Sequence, residues 1–455
     1  MLHARDMRLR PADLLAALSH ALDLTEGQPP GHCVRAAWIG QRIGAELGLD
    51  PREMGDLYYT VLLKDLGCSS NAARICQLYL TDDRAFKEGF KTMGTATRQA
   101  LGFVLRHTAP EQGLIARLRQ VHRVLRDRDE IVDELMETRC HQGAEIARLM
   151  GFPGTVSDGI AALDEHWDGG GRPEGLAGRS IPLAARIALT AQVMDVFHRD
   201  GGRDAALAEL DARTGRWFDP EVARAARAAA RAPDFWARLE SPEIESEVTA
   251  MDPLQQDWVM DDDRIDNMIA AFGRVIDAKS PFTQGHSRRV AGFTAMLCRV
   301  QDWPEDRRRW LTRAALLHDI GKLGVSNTIL DKPDRLDEAE FAVVKTHPVL
   351  GAEILSRLAP FRPMAKVVAA HHEKLDGRGY PNALPAEALT QEMRLLTVAD
   401  IFDALTAARP YRAALPMERA LAIMQEDAGT ALDAGQMGAL AEAVDAGAHL
   451  SVLGR

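Results

Sequence analysis

The sequence predicts an all-α protein made of two tandem helical bundles, the second complete and the first degenerate. Aromatic residues make up only 5% of the 455 residues, whereas the helix formers alanine, leucine, arginine and glutamate are abundant. The chain is long enough for two or three domains, each with its own core. The third observation is an internal repeat, which relates the two halves of the chain.

The repeat consists of short motifs that occur in the same order in both halves. The matches are 31–35 (GHCVR) with 285–289 (GHSRR), 62–67 (LLKDLG) with 316–321 (LLHDIG), 143–146 (GAEI) with 351–354, and 168–173 with 376–381 (DGRGYP). The first copy is longer, and its extra residues fall at about 71–139. That insertion is polar and partly basic, and we expect it to be helical.

The segment between the two copies is acidic. Residues 240–263 contain nine acidic residues, two prolines and no lysine or arginine. This composition favours a hydrated connector, although an acidic helix face is the alternative. We therefore expect a degenerate domain at 1–239, an acidic linker at 240–263 and a complete domain at 264–455.

Composition also limits the partners. The net charge of −11 argues against binding a nucleic acid polymer through a basic face, while a small anionic ligand remains compatible with local cations. No signal peptide and no apolar run of about 18 residues is present, so we expect a cytoplasmic protein without a membrane span. The scattered cysteines, without a CxxC pair, fit reduced thiols: Cys33, Cys68, Cys76, Cys140 and Cys298.

Asp319 is the first candidate for a metal ligand. It follows His318 in 314–322 (AALLHDIGK), whose apolar residues predict the end of a buried helix. Lys322, three residues on, shares a helix face with Asp319. A carboxylate can bridge two cations through its two oxygens, so Asp319 is the natural bridging ligand. An isolated His-Asp pair would usually lie on the surface, and only the further ligands below favour a metal.

The adjacent His371 and His372 are the second candidate. Neighbours on an ideal helix diverge by about 100°, so both can reach one ion only where the helix ends. The turn at 376–381 (DGRGYP) provides that end, because glycine accepts unusual backbone angles and proline stops a helix. Alone, the double histidine would be as compatible with a structural role as with a functional one.

Three further residues complete the set. His286 and His347 each precede an apolar helix and are as compatible with a cap or core role as with a ligand role. Asp400 lies in an apolar segment, where a buried carboxylate needs a nearby cation, either a metal or Arg409. Together the seven imidazoles and carboxylates are enough for a two-metal hydrolytic site.

These motifs together resemble the HD-GYP family of bacterial phosphodiesterases over about residues 263–445. The resemblance rests on GHSRRVA, LLHDIGKLGV, ILDKPDRLDEAEF, KTHPVLGAEIL, HHEKLDGRGYP and ADIFDALTAARPYR. It implies a helical bundle of the HD superfamily, with catalysis in the domain at 264–455. It also implies hydrolysis of cyclic di-GMP, a bacterial second messenger in signal transduction, to pGpG and onward to GMP.

The resemblance also implies the ligand sets. One metal would take His286, His318, Asp319 and Asp400, and the other would share Asp319 and add His347, His371 and His372. Phe282 stands where some members have a glutamate for a third metal, so we expect two divalent ions, iron or manganese. A water activated between them would attack phosphorus as hydroxide.

Substrate contacts follow from the same resemblance. Lys322, Arg409 and Arg412 would contact phosphates, and Lys322 would also assist Asp319 in catalysis. The turn residues Asp376, Gly377 and Tyr380 would lie over the site and contact a guanine, or else form a purely structural cap.

The first copy lacks this chemistry. It has Lys64 for His318, Cys68 for Lys322, Arg139 for His347, Leu163 for His371, Asp164 for His372 and Gln192 for Asp400, and keeps only His32 and Asp65. We expect it to be inactive and to serve regulation, a homodimer or a signalling protein partner. The alternatives for the whole chain are hydrolysis of another cyclic dinucleotide or phosphoester, and a non-catalytic nucleotide-sensing scaffold.

Overall fold

The fold is all-α, as the sequence predicts. The computed structural model describes residues 9–92, 97–252, 260–408 and 412–452. Within these ranges the regular elements are helices, accompanied by isolated β-bridges that join Thr214 to Phe218 and Ala428 to Leu432. The chain divides into two compact units, an N-terminal unit (Arg10–Asp261) and a C-terminal unit that begins at Asp262. The cysteines, all of them in the described ranges, form no disulfide.

The described residues of the N-terminal unit form thirteen α-helices. They are α1 (Pro11–Thr25), α2 (His32–Leu47), α3 (Pro51–Leu62), α4 (Ala72–Tyr79), α5 (Asp83–Lys91), α6 (Thr97–His107), α7 (Leu114–Arg126), α8 (Arg128–Leu149), α9 (Gly154–Ala161), α10 (Leu183–Arg213), α11 (Pro220–Ala229), α12 (Phe235–Leu239) and α13 (Ile244–Ala250).

The C-terminal unit contains eleven α-helices among its described residues. They are α14 (Asp262–Asp277), α15 (His286–Val300), α16 (Glu305–Leu317), α17 (Asn327–Leu330), α18 (Glu338–Val344), α19 (His347–Ser356), α20 (Arg362–Ala369), α21 (Gln391–Thr406), α22 (Met417–Glu426), α23 (Ala434–Asp445) and α24 (His449–Val452). A 3₁₀ turn, Ile320–Gly324, follows α16.

Helix periodicity explains how α14 packs. Its buried side chains include Ile265, Met268, Ile269, Phe272 and Ile276, which recur at the spacing of one helix face. That face packs on α15 and α16, and α15 also packs on α21. The helices that begin or end at candidate ligands therefore surround one core.

The insertion in the N-terminal unit has a core of its own. Helices α4 to α7 and the start of α8 cover the described parts of 71–139. Their apolar cluster consists of Ile75, Leu78, Tyr79, Phe86, Val124, Ile131 and Leu135. The acidic segment 240–263 includes α13 and the start of α14, while its residues 253–259 lie outside the described ranges.

One close backbone approach fixes the turn after α16. A Cβ atom on Gly321 would lie 2.0 Å from the carbonyl oxygen of His347, so only glycine lets the start of α19 come this near. Gly67 makes the same approach to the carbonyl of Arg139, at 1.9 Å, in the N-terminal unit. In the C-terminal unit this approach brings His347 next to the His318-Asp319 pair.

Candidate metal centre

The seven predicted ligands converge in the C-terminal unit from five helices. His286 begins α15, His318 and Asp319 follow α16, and His347 begins α19. The double histidine follows the end of α20, and Asp400 lies within α21. Six of them are buried, and the side chain of His372 is 21% exposed. Helix ends place six of these side chains, and the interior of α21 places Asp400, in the same interior region.

The ligand atoms form two neighbouring groups, and Asp319 lies close to the histidines of both. One group is His286, His318 and Asp400, and the other is Asp319, His347, His371 and His372, with the ligand atoms of each group within 4.8 Å of one another. These distances are short enough for a single ion to contact all members of either group.

Asp319 faces both groups with different oxygens. Its Oδ2 lies 3.3 Å from Nε2 of His286 and 3.4 Å from Nε2 of His318. Its Oδ1 lies 3.3 Å from Nε2 of His347 and 3.8 Å from Nε2 of His371. This is the geometry that a bridging carboxylate requires.

Asp400 lies between the first group and the double histidine. Its Oδ1 is 3.4 Å from Nε2 of His286 and 3.7 Å from Nε2 of His318. Its Oδ2 is 3.7 Å from Nδ1 of His372. The alternative partner, Arg409, lies outside the described residues, so the pairing of Asp400 with an arginine stays untested.

The imidazoles are oriented as metal ligands. The Nδ1–H groups of His318, His347 and His371 donate to the carbonyl oxygens of Ala315, Val344 and Val368 at 2.7, 2.7 and 2.6 Å. Those bonds leave the Nε2 lone pairs directed at the shared interior, where Nε2 of His347 and His371 are 3.2 Å apart. Two lone pairs at that separation repel unless a cation lies near both.

Unsatisfied buried atoms point to the same place. Nε2 of His286, Nε2 of His318 and Oδ1 of Asp319 are buried and have no hydrogen-bond partner in the described structure. Buried polar atoms are normally satisfied, and these three would be satisfied by metal coordination. Nitrogen and carboxylate donors together suit first-row transition metals, so the residues present fit a metal centre.

The electrostatics of the site favour positive charge. Burial alone would raise the pKa of Asp319, but His318 and the Lys322 ammonium lower it well below its usual range. Burial would lower the pKa of His286, but Asp319 and Asp400 outweigh that effect and raise it. Burial lowers the pKa of His372 to about 3, which keeps this ring neutral and able to bind a metal.

Two further carboxylates support the centre from outside. Asp403, one turn after Asp400, accepts from Nδ1–H of His286 at 2.6 Å and from Nε of Arg289 at 2.6 Å. Glu373 is 1% exposed and accepts from the backbone amides of Asn382 and Leu384, at 2.7 and 3.0 Å. Sequence reasoning assigned no role to Glu373, although its counterpart in the repeat, Glu165, offered a signal.

The glycine-rich turn lies beside the double histidine. Asp376 is exposed and accepts from the amide of Arg378 at 3.0 Å, and Gly377 has a φ of +70°. The Tyr380 ring lies 4.7 Å from the His372 ring, between centroids, and 5.8 Å from that of Phe341. Burial raises the pKa of Tyr380, so its phenol stays a hydrogen-bond donor.

A cavity of 510 Å³ adjoins the metal ligands. It is lined by His372 and Tyr380, by the cations Lys345, Lys374 and Arg378, and by apolar side chains of α21 and α22. This volume is typical of a small-molecule site. The cavity therefore joins a cationic wall to the candidate metal centre.

The predicted phosphate-contacting residues have different surroundings. Nζ of Lys322 lies 2.6 Å from Oδ2 of Asp319, and its side chain is partly exposed. Arg412 donates to the carbonyl oxygens of Ala404 and Leu405 at the end of α21, at 2.5 and 3.0 Å. Leu405 lines the cavity, so Arg412 contacts its wall, while Arg409 lies outside the described residues.

The N-terminal unit has the same supporting geometry around a different centre. Asp195 accepts from Nδ1–H of His32 and Nε of Arg35, both at 2.7 Å, as Asp403 does from His286 and Arg289. At the place of His318, Lys64 donates to Nε2 of His32 at 3.0 Å and pairs with Asp65. The Lys64 ammonium thus lies at the position that corresponds to the candidate metal centre of the C-terminal unit.

A second acidic group in the N-terminal unit does not suit a metal. Glu26, Asp65 and Cys68 offer ligand atoms within 4.8 Å of one another. However, Lys91 lies 2.7 Å from Glu26, and Arg139 lies 3.5 Å from Asp65. Burial raises the pKa of the Cys68 thiol well above its usual value. The negative charge is already compensated, and the thiol is not a ready ligand.

Comparisons with known proteins agree with this geometry. The sequence model of the HD domain matches residues 111–222 and 271–435. A Vibrio cholerae protein named 3'3'-cGAMP-specific phosphodiesterase 3 is 47% identical over 95% of this chain and 94% of its own. The crystal structure of a cyclic GMP-AMP specific phosphodiesterase from Vibrio cholerae has a TM-score of 0.65 and 43% identity, covering 95% of this chain and 97% of that one.

A more distant relative matches a smaller part. The cyclic di-GMP phosphodiesterase response regulator RpfG of Xanthomonas campestris is 35% identical over 36% of this chain and 44% of its own length. Within the described ranges, no helix combines the length and the apolar character that crossing a membrane would need.

The helical fold and the His-Asp centre define the class of HD-domain hydrolases, which depend on metal. Within that class, the motifs and the full-length match are specific. The chain belongs to the HD-GYP family of phosphodiesterases.

Proposed function

We propose that this chain hydrolyses a 3',3'-linked cyclic dinucleotide at the centre formed by the seven ligands, with 3'3'-cGAMP as the first candidate substrate and cyclic di-GMP as the second. The observation that carries the proposal is Asp319, whose two oxygens face two ligand groups beside a cavity with a cationic wall. The preference for 3'3'-cGAMP is supported by the name of the full-length relative, and cyclic di-GMP by the name of the Xanthomonas relative.

Two ligand groups support two metal ions, iron or manganese, since imidazole and carboxylate donors suit both. Ions there supply charge neutralisation for a phosphodiester and activation of water near neutral pH. The reaction adds water across one P–O3' bond, leaving a 5'-phosphate and a free 3'-hydroxyl in a linear dinucleotide such as pGpG.

The residues of this chain prepare that step. Lys322 is partly exposed next to Asp319, where its ammonium can neutralise a phosphate oxygen or donate a proton to the leaving 3'-oxygen. Tyr380 is held against His372 as a protonated phenol over the cavity. Lys345, Lys374 and Arg378 attract the second phosphate of a dianionic substrate. Arg409, Arg412, Asp376 and Gly377 stay predicted substrate contacts.

The experiment compares the metal-loaded full chain with Asp319→Ala on 3'3'-cGAMP, cyclic di-GMP and cyclic di-AMP. Wild type should open at least one guanine-containing substrate, and Asp319→Ala should lose metal and turnover while keeping its helical circular dichroism. Asp306→Ala, an exposed acid in the first turn of α16, is the matched control and should keep both. Binding without turnover by the metal-loaded wild type would instead support the scaffold alternative and contradict the proposal.

We further propose that the N-terminal unit is a catalytically silent copy with a regulatory or dimerising role. Its support is Lys64, whose ammonium lies between His32 and Asp65 and occupies the position where a ligand would be needed. Sedimentation of the full chain tests the dimer, and a monomer at all concentrations would exclude it.

A further inference from the structure

The side chains that line the cavity are mainly of two kinds, cationic and apolar. The cations Lys345, Lys374 and Arg378 come from the end of α18 and the glycine-rich turn. The apolar lining side chains come from α21, α22 and the turn after α22: Ile401, Leu405, Ile423, Met424 and Leu432. Cations suit phosphates, and an apolar slot suits the face of a flat heterocycle. The apolar part is therefore where a base of a dinucleotide would lie.

One acid lines this slot. Asp427 is the sole carboxylate among the described residues that line the cavity. None of the ion pairs or side-chain hydrogen bonds within the described ranges engages its carboxylate, and Asp427 is an exposed residue. In a cleft for a dianion, an acid weakens binding by repulsion unless the substrate offers it hydrogen-bond donors.

The position of Asp427 is fixed by its backbone. It ends α22, and its carbonyl oxygen accepts from the amides of Thr430, Ala431 and Leu432 at 3.1, 3.0 and 2.9 Å. Leu375 in turn donates its amide to Ala431 at 3.0 Å, which ties this turn to the segment after the double histidine. The main chain at Asp427 is thus held in a hydrogen-bonded turn, and Asp427 lines the cavity together with Met424 and Leu432.

We propose that Asp427 selects guanine over adenine in the substrate, an inference that rests on the proposed function. The Watson–Crick edge of guanine offers two neighbouring donors, N1–H and N2–H, which match the two oxygens of a carboxylate. Adenine presents an acceptor, N1, at the same place, and an acceptor facing a carboxylate is repelled. Both 3'3'-cGAMP and cyclic di-GMP contain the guanine that the slot would hold, and cyclic di-AMP does not.

The test measures kcat/KM of the metal-loaded full chain for cyclic di-GMP, 3'3'-cGAMP and cyclic di-AMP. In Asp427→Ala, the ratio of kcat/KM for cyclic di-GMP to that for cyclic di-AMP should fall by about 10- to 100-fold, the usual effect of losing hydrogen bonds to a charged group. If wild type cleaves only 3'3'-cGAMP, the same fall should appear in the preference for cyclic di-GMP over cyclic di-AMP as competitive inhibitors of that cleavage. In Asp427→Asn the side chain keeps nearly the same shape but offers one donor and one acceptor. This variant should also lower the preference for cyclic di-GMP over cyclic di-AMP. Glu426→Ala, the exposed neighbour outside the cavity lining, is the matched control and should keep the wild-type ratio.

The outcomes separate the two proposals. A lower guanine preference in both Asp427 variants supports the assignment. If both variants keep the wild-type ratio, or if their kcat/KM falls equally for all three substrates, Asp427 does not select the base. Either result leaves the proposed hydrolysis standing. If wild type cleaves none of the three but cleaves bis(p-nitrophenyl) phosphate, the proposed substrate class is wrong, and the base selection is overturned with it.

Discussion

His286 and Asp403 are joined by a hydrogen bond of 2.6 Å that fixes which imidazole nitrogen faces the candidate metal centre. The same bond joins His32 to Asp195 at 2.7 Å in the N-terminal unit, where an ammonium and not a metal lies beyond the imidazole. The pair thus supports the candidate metal centre in one unit and a buried charge network in the other. Each carboxylate also accepts from an arginine, Arg289 or Arg35.

Asp403→Ala should weaken metal binding although Asp403 is not among the seven predicted ligands. Without its carboxylate the His286 ring loses its fixed orientation, and such partners typically contribute 10- to 100-fold in metal affinity. Metal content per chain after extended dialysis measures the effect. Asp195→Ala removes the same bond in the N-terminal unit and should leave the metal content unchanged. Full metal retention by Asp403→Ala would contradict the prediction.

Glu373→Ala should loosen the turn that covers the cavity. The variant removes the acceptor of two backbone amides, Asn382 and Leu384, and leaves both without a protein partner. We expect a loss of about 2–4 kcal/mol in stability and a rise in KM, with the metal content kept. Glu165 accepts from the amides of Glu174 and Gly175 in the same way, at 2.6 and 3.1 Å.

Glu165→Ala is therefore the matched control for Glu373→Ala. It should lower the melting temperature to a similar extent and leave KM at the wild-type value. If Glu373→Ala also keeps the wild-type KM, the amide contacts of Glu373 do not contribute to substrate binding.

Lys64→Met should destabilise the N-terminal unit. It removes the buried ammonium that pairs with Asp65. Because Arg139 also lies 3.5 Å from that carboxylate, the loss should stay below the roughly 3–5 kcal/mol that a buried charge left without any partner typically costs. The double variant Lys64→Met/Asp65→Leu removes both charges and should regain part of that stability. Urea unfolding measures all three proteins. If the double variant is no more stable than Lys64→Met, the loss of stability does not come from leaving Asp65 without the Lys64 ammonium.

His166 should make stability depend on pH. Burial lowers its pKa to about 4, and its ring stacks on Trp217 with centroids 4.2 Å apart. The unfolded chain takes up a proton near pH 6.5, whereas the folded chain does so only near its lowered pKa. The contribution of His166 to the free energy of unfolding is therefore complete above about pH 6.5. It is lost as the pH falls from there towards the folded-state pKa of about 4.

His166→Gln removes this titration. Between pH 7.5 and pH 5, wild type should lose about 1–2 kcal/mol more unfolding free energy than the variant, measured by urea titration at both values. The nearby Asp164, Asp168, Arg172 and Arg213 are unchanged in the variant, so their contributions cancel in the comparison. Parallel losses in the two proteins would contradict a neutral buried His166.

The all-α class and the convergence of the seven residues could be predicted because each residue stands at a helix end or within a marked motif. That Asp319 and Lys322 share a face also follows from helix spacing. In the structure, Nζ of Lys322 lies 2.6 Å from Oδ2 of Asp319. Local spacing was enough for the shared face, whereas the convergence of the seven residues rested on their combined ligand chemistry and on the family resemblance. The assignment of metal number and of phosphate contacts stays a prediction from the family resemblance.

Other features could not be predicted because they depend on contacts between distant segments. Glu373 looks like an ordinary polar residue until the chain returns at Asn382 and Leu384. Asp427 follows α22 without any motif, and only the tertiary fold brings it into the cavity. The sequence shows that Lys64 replaces a histidine, but not that its ammonium reaches back to His32.

The ammonium of Lys64 is a cation that cannot diffuse away, since it is covalently part of the chain, in the turn that follows α3. A chelator that strips the C-terminal unit leaves its inward-facing histidines and acids without their counter-charge, whereas the N-terminal unit keeps its own. Removal of the metal would therefore reach one half of this protein and spare the architecture of the other.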